Sequence, residues 1–316
     1  VEDVMKNVFI GVDHSGAYRV YLTVSTQLVE EARKVHHTTP LATAALGRVL
    51  TGTALMGLMV KEEDAKVTVI FKGDGPLEQI LATANGKGQV KGYVANPGAD
   101  LPLSKEGKLN VGAGMGEGEL TVIKDIGLKE PQSGRIALVT GEIADDLTAY
   151  FYISEQQNSS VALGVMVDRD HHVKHAGGMI IQMLPGGELT PAVDHLEHLL
   201  EKLPPLTTLL EELEPHVDRD GHGQEEAADV PVQALAHRIF GEMPEEYRLK
   251  EVALREISWY CDCGRERLEQ VVMAMGRKDL ETIIQEDGGA ELVCSFCNSK
   301  YYFDRKDLER IYRSIQ

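Results

Sequence analysis

All four cysteines of this 316-residue chain stand in its last fifth, as Cys261-Asp262-Cys263 and Cys294-Ser295-Phe296-Cys297. Paired sulfurs at both ends of a short segment are the ligand pattern of a tetrahedral zinc site, with Zn–S about 2.3 Å and two thiolates delivered by each of two turns. Gly264 after the first pair and Asn298-Ser299 after the second supply those turns. Four reduced, half-buried structural cysteines are the bland alternative, and it leaves the paired spacing unexplained.

The first pair is C-x-C, with only Asp262 between its sulfurs, whereas common zinc ribbons use two C-x-x-C pairs. Each pair is close enough in sequence to join internally, although a C-x-C ring is small and strained. Such a site has two chemical states open to it. Either a metal holds the sulfurs apart, or oxidation joins them and the metal is lost. Coordination lowers a thiol's pKa, and exposed thiolates are the ones that oxidise. A redox switch is therefore a hypothesis that the residues themselves raise.

The rest of the composition narrows the class. The chain is long enough for two domains, and 43% of its residues are hydrophobic, as in a globular protein. A formal net charge of −18 disfavours nucleic acid, whose phosphates need a basic surface, and it also disfavours anionic membranes. Cysteines clustered as ligands suit a reducing cytosol. Val1 to Lys6 has no basic region leading into an apolar core, so no signal peptide is expected. Leu41 to Val60 runs twenty residues with a single charge, Arg48. Its glycines and threonines, and the cost of an unpaired arginine in lipid, point to a helix buried all round in a globular domain.

From Val8 to Leu184 strands dominate. Val20–Val24, Val67–Phe71, Val90–Val94, Leu120–Lys124, Arg135–Val139, Val161–Val167 and Met179–Met183 are short, β-branched runs bounded by turn residues. Helical patterns interrupt them at Leu28–Val35, Leu41–Met59 and Glu142–Glu155. Strands and helices do not alternate strictly, so the class is α+β. Gly112–Gly118 lacks both the Rossmann spacing and a Walker lysine and predicts a flexible hairpin connection.

After Pro185-Gly186-Gly187 the character changes. Val193, Leu196, Leu199, Leu200 and Leu203 share one helical face, and Leu206, Leu209, Leu210 and Leu213 share another beyond Pro204-Pro205. Glu214 to Asp229 is acidic and predicts a solvated, mobile stretch; Val232–Phe240 resumes a short amphipathic helix. These helices have no core of their own and must dock on something, and such docking can be conditional. The segment from Tyr247 is too small for a strong independent core. Bound zinc supplies ~10–16 kcal/mol of apparent folding free energy in small metal-built domains, against ~5–15 kcal/mol for an ordinary domain. Helices are expected at Arg265–Met275 and Lys278–Gln285, with a short strand at Glu291–Val293. The organisation predicted is an N-terminal β-sheet-rich domain with packed helices over 1–185, a helical linker over 186–246, and a small C-terminal zinc-binding domain over 247–316.

Other chemistry is thin. His36-His37, His171-His172 with His175, and His195 with His198 carry no H-E-x-x-H pattern and read as surface histidines. Asp145-Asp146 and Glu211-Glu212 read as solvated helix faces. No nucleophile elbow or kinase set is present, so no enzyme is expected.

Several stretches together resemble the 33 kDa heat-shock protein family, redox-regulated bacterial holdase chaperones. They are Gly73-Asp74-Gly75-Pro76-Leu77, Gly92-Tyr93-Val94-Ala95-Asn96-Pro97, Lys124-Asp125-Ile126-Gly127-Leu128-Lys129-Glu130-Pro131, Gly141-Glu142-Ile143-Ala144-Asp145-Asp146-Leu147, Tyr150-Phe151 with Ser154-Glu155-Gln156, and the two cysteine pairs. The connection near 214–230 is longer and more acidic than the family's usual one. The resemblance implies one Zn²⁺ per chain on Cys261, Cys263, Cys294 and Cys297, with the chaperone off. It further implies oxidation to Cys261–Cys263 and Cys294–Cys297 disulfides, zinc release, unfolding of the C-terminal domain and undocking of the middle helices. The exposed surface would hold unfolding clients without ATP in the cytoplasm, with homodimerisation on activation and transfer to ATP-driven refolding chaperones. Two other readings compete: a thiol-disulfide oxidoreductase using Cys294 and Cys297, and a zinc-ribbon regulator binding nucleic acid or the ribosome. The first would place its C-x-x-C at a helix N-terminus, and the second is opposed by the net charge.

Overall fold

A computed structural model describes residues 6–105, 107–214 and 230–315. The expectations for Val1–Met5, and for the acidic stretch from position 215 to 229, lie outside the described residues. The chain divides into two compact units, Val1–Trp259 and Tyr260–Gln316.

The larger unit opens with β1 (Val8–Asp13), β2 (Tyr18–Val24), α1 (Thr26–His36) and α2 (Pro40–Met59). β3 (Lys66–Gly73), β4 (Gln79–Asn85) and β5 (Gln89–Val94) follow, then α3 (Val111–Met115), β6 (Gly118–Asp125), β7 (Gln132–Ala137) and α4 (Ile143–Ile153). β8 (Ser159–Val167) and β9 (Val173–Met183) lead into α5 (Pro191–Glu201), α6 (Leu206–Leu213) and α7 (Val232–Phe240), and the unit closes on β10 (Leu249–Arg255) and β11 (Ser258–Trp259). One sheet runs β10-β1-β2-β9-β8, antiparallel throughout; the other runs β11-β5-β4-β3-β6-β7, with only β11 parallel to its neighbour. The architecture is the α+β class that the pattern predicts.

α2 is the element both sheets share, packing against β3, β4 and β5 on one side and β8 and β9 on the other. Pro40 at its first turn and the Thr39 hydroxyl, which accepts from the Ala42 amide at 3.3 Å, start it cleanly. It is the one helix among the described residues long and apolar enough to cross a membrane, and it is buried inside the unit. Its single charge is matched: Arg48 donates to the Glu142 carboxylate at 2.5 Å.

The middle helices do find a partner. Leu196, Leu206, Leu209, Leu210, Leu235, Ile239 and Phe240 share a second core with Phe9, Leu22, Met179 and Ile181 of the first sheet. Four features differ from the sequence expectations. β10 pairs with β1 and β11 with β5, so residues 249–259 belong to the larger unit and the compact C-terminal unit begins at Tyr260, not near 247. The glycine-rich stretch holds a helical turn, α3, capped by the Asn110 side chain, in place of a plain hairpin connection. Asp146 is fully buried rather than solvated; it takes the amides of Val139 at 2.6 Å and Thr140 at 3.2 Å, and burial pushes its pKa up. His36 and His175 are buried rather than on the surface.

Glu30 ties α1 to the start of β9. Arg33 donates to both its oxygens at 2.7 Å, and the Val173 amide donates at 3.1 Å. The Arg33 hydrogen bonds, chiefly, hold its pKa far below the usual carboxylate range, at about 2. A depressed carboxylate pKa stabilises the fold above the unfolded value, about 4.3, and that contribution is lost as pH falls through the folded value. Glu30→Gln is therefore expected to lower stability near neutral pH, with the gap from the unaltered chain closing between about pH 5 and about pH 2, as urea titrations across that range will show.

Candidate metal centre

The smaller unit contains α8 (Arg265–Ala274), α9 (Arg277–Glu286), a hairpin of β12 (Gly289–Val293) with β13 (Lys300–Asp304), and α10 (Arg305–Ser314). Its core is six buried side chains, Val272, Leu280, Ile284, Phe303, Leu308 and Ile311. Around them run surface ties: the Arg265 guanidinium lies 4.4 Å over the Phe303 ring, Arg310 pairs with Glu269 at 2.7 Å, and Asp304 and Asp307 form a capping box on α10. Exposed ion pairs of this kind contribute about 0–1 kcal/mol each, so they do not replace a core.

Two turns bring the sulfurs together. Cys261 and Cys263 stand just before α8, with Gly264 as its N-cap. Cys294 follows β12, and the chain reverses around it: the Asn298 amide donates to the Cys294 carbonyl at 2.8 Å, and the Cys294 amide to the Ser299 carbonyl at 3.0 Å. Asn298 takes φ of 56°, a left-handed conformation that asparagine tolerates better than most residues. The four Sγ atoms lie within 4.8 Å of one another. Cys261 and Cys294 approach to 3.8 Å, and Cys263 and Cys297 to 3.2 Å. A zinc tetrahedron with Zn–S near 2.3 Å has S–S edges of about 3.8 Å; the Cys261–Cys294 edge has that length, the Cys263–Cys297 edge is shorter, and the four-thiol donor set suits that ion.

The electrostatics point the same way. Burial pushes the Cys261 and Cys263 thiols up. At Cys297 burial also opposes ionisation, but hydrogen bonds from Ser299 and the neighbouring thiols bring the value down to about 7. The hydrogen bond with Cys263 pushes Tyr301 up to about 12. Sulfurs packed this closely cannot all ionise side by side unless a cation offsets them, and a coordinating metal inverts that preference.

Two residues at the site escaped the sequence reading as sulfur partners. Ser299, seen only as a turn residue, places its hydroxyl 3.2 Å from Cys297 Sγ, and the Tyr301 hydroxyl is 3.4 Å from Cys263 Sγ. Their positions two and four residues after Cys297 are the one signal in the sequence that points to them. The Asp262 carboxylate pairs with Arg267. Among the described residues, these four cysteines are the one group of three or more histidine, cysteine or acidic side chains close enough to share an ion. Of the histidines considered, His195 lies against the Tyr247 ring at 5.3 Å, and His175, on β9, has its Nε2 3.7 Å from the Glu214 carboxylate.

Comparison with known proteins agrees with this geometry. The model of the family described as Hsp33 protein matches residues 7–304, which include both cysteine pairs. The chain is 44% identical over 313 residues to the 33 kDa chaperonin of Alkaliphilus oremlandii (strain OhILAs), covering 98% of each. It is 42% identical over 302 residues to that of Clostridioides difficile (strain 630), covering 95% of this chain and 96% of the relative. The crystal structure of the 33 kDa chaperonin (heat shock protein 33 homolog) from Thermotoga maritima superposes with a TM-score of 0.82 at 34% identity, covering 98% of each chain. Because supporting hydrogen bonds orient metal ligands, Tyr301→Phe is expected to weaken metal affinity by about tenfold without unfolding the unit, as competition against a chromophoric chelator will read.

Proposed function

The chain belongs to the Hsp33 protein family of chaperones, and we propose that it is a redox-regulated holdase, inactive when reduced and metal-bound and activated by oxidation. The observation that carries this reading is the convergence of four sulfurs in a unit whose core, among the described residues, is six buried apolar side chains. Cys261, Cys263, Cys294 and Cys297 are the proposed ligands of one Zn²⁺ per chain. When bound, the ion supplies the positive charge that lets four thiolates share one site.

Each cysteine pair then gives up two electrons to an oxidant such as peroxide, which is reduced to water. An S–S bond forms within the pair and the thiolate set is lost. The proposed products are Cys261–Cys263 and Cys294–Cys297. In the folded unit Cys263 is within 3.2 Å of Cys297, so bonding between sequence neighbours fits oxidation accompanied by opening, when short loops close most readily. With its ligand set gone, the C-terminal part has too little core to remain folded. The helical linker, placed over 186–246, then leaves the first sheet, and Phe9, Leu22, Met179 and Ile181 meet solvent.

That surface is proposed to hold unfolding proteins without ATP and to pass them to ATP-driven refolding chaperones, with the active form a homodimer. No catalytic turnover, nucleic-acid partner or membrane partner enters this reading; the net charge of −18 weighs against the last two. The proposed location is the cytoplasm, where reducing conditions keep the sulfurs as ligands.

The reduced chain is expected to carry one zinc. Peroxide with mild warming is expected to release it, link cysteines within each pair, and confer suppression of light scattering by an unfolding client. Zinc near zero before oxidation, a peptide map dominated by links between the pairs, or an oxidised sample no better than the reduced one would each count against the proposal.

A further inference from the structure

α6 lies close over β8 and β9 because Gly164 and Gly177 stand opposite each other in that ladder. A Cβ on Gly164 would come within 2.9 Å of Thr207 Cγ2, and one on Gly177 within 3.2 Å of Leu210 Cδ1. The helix buries Leu206, Leu209 and Leu210 against this floor. His175 stands two residues before Gly177 on β9, so it shares that face, and only 5% of its surface is exposed. Its Nε2 is closed off from solvent and has no hydrogen-bond partner among the described residues.

The charged groups around it are few. From α6, the Glu214 carboxylate just past the helix stands 3.7 Å away, and Glu211 is held at 2.5 Å by Lys174, the neighbour of His175 on β9. From α1, Glu30 lines the same 180 Å³ cavity and is engaged by Arg33 and the Val173 amide. Burial pushes the imidazole pKa below its ordinary value, with Glu214 pulling it back up and Lys174 pushing further down. A neutral ring is thus what the closed seam accepts, and a charged one is not.

We propose that protonation of His175 in mild acid undocks α6 from β8 and β9, a second input to the helical cover that operates while the four sulfurs still hold their metal. As a route to client holding it rests on the holdase reading; as a statement about the helix it does not. The sign follows from linkage. The undocked imidazole takes its proton near the ordinary value, about 6.5, so docking is strongest above that pH and weakens below it. At pH 5.5 the opening constant can rise at most about tenfold on this account. Glu30, titrating at about 2, stays ionised throughout that window.

The test is hydrogen exchange on the full, reduced, zinc-loaded chain at pH 7.5 and 5.5, corrected for the intrinsic pH dependence of exchange, with zinc content measured in the same samples. Amides of α6 are expected to exchange several-fold faster at pH 5.5 while those of α2 do not change. His175→Phe should abolish the difference. Glu214→Gln should enlarge it, because the carboxylate that offsets the proton is gone. No acceleration in the unaltered chain, or equal acceleration in His175→Phe, overturns the proposal. Should His175→Phe fail to fold, an acid response in Glu214→Gln no larger than that of the unaltered chain overturns it. Peroxide-oxidised chain run in a light-scattering assay at pH 7.5 separates the two claims: its failure to hold a client would sink the holdase reading and leave the α6 exchange to decide this one.

Discussion

Four sulfur atoms gathered within 4.8 Å are the constraint on which the end of this chain depends. Without an ion they are a liability, since burial keeps Cys261 and Cys263 protonated while hydrogen bonding from Ser299 draws Cys297 toward its thiolate. The proposed ion would tie the turn before α8 to the turn after β12. The six-residue core beneath them and the exposed pairs around α10 are too little to take over that role.

The larger unit is built on a different principle. α2 is buried on every face and shared by two sheets, so its stability owes nothing to metal chemistry. The helices after β9 occupy an intermediate position. They carry their apolar faces to the first sheet and complete a core there, yet each is only two or three turns long and is separated from the next by a breaker. Short helices of this kind are stable through docking rather than by themselves. The proposed switch removes such a cover and leaves the sheets beneath in place, and His175 beneath α6, buried with no hydrogen bond to its Nε2 among the described residues, is the proposed point at which a single proton bears on it.

Much of this was legible in residue patterns because the signals were local. Six β-branched runs became β2, β3, β5, β6, β8 and β9, Arg135–Val139 overlaps β7 as far as Ala137, and Leu41–Met59 became the buried helix its composition describes. The strands that were passed over have nameable reasons. β4 carries Ala82 and Ala84 on its buried face, where α2 packs closely and leaves space only for small side chains, and alanine is a poor strand signal. β10 is charged and mostly exposed, and what makes it a strand is its pairing with β1 some 240 residues earlier. That long-range pairing also carries residues 249–259 into the larger unit. The burial of His36 was invisible for a similar reason, since its ring meets the Gly92 carbonyl at 2.9 Å, 56 residues away. Asp146 is held by the nearer amides of Val139 and Thr140, in a turn before α4 that periodicity does not register.

The chain's order of residues was by itself enough to single out the four sulfurs that the fold brings together, because thiolate pairs at short spacing carry their coordination chemistry with them wherever they fold. It was also enough for the α+β class and for a run of breaker-separated amphipathic helices, since periodicity and turn residues act within a few positions. Only the tertiary structure decided what those helices rest on, that Tyr301 stands beside Cys263, and that His175 is sealed under α6 with no hydrogen bond to its Nε2 among the described residues. Those facts depend on surfaces brought together from far apart in the chain, and burial is a property of such meetings rather than of any residue alone.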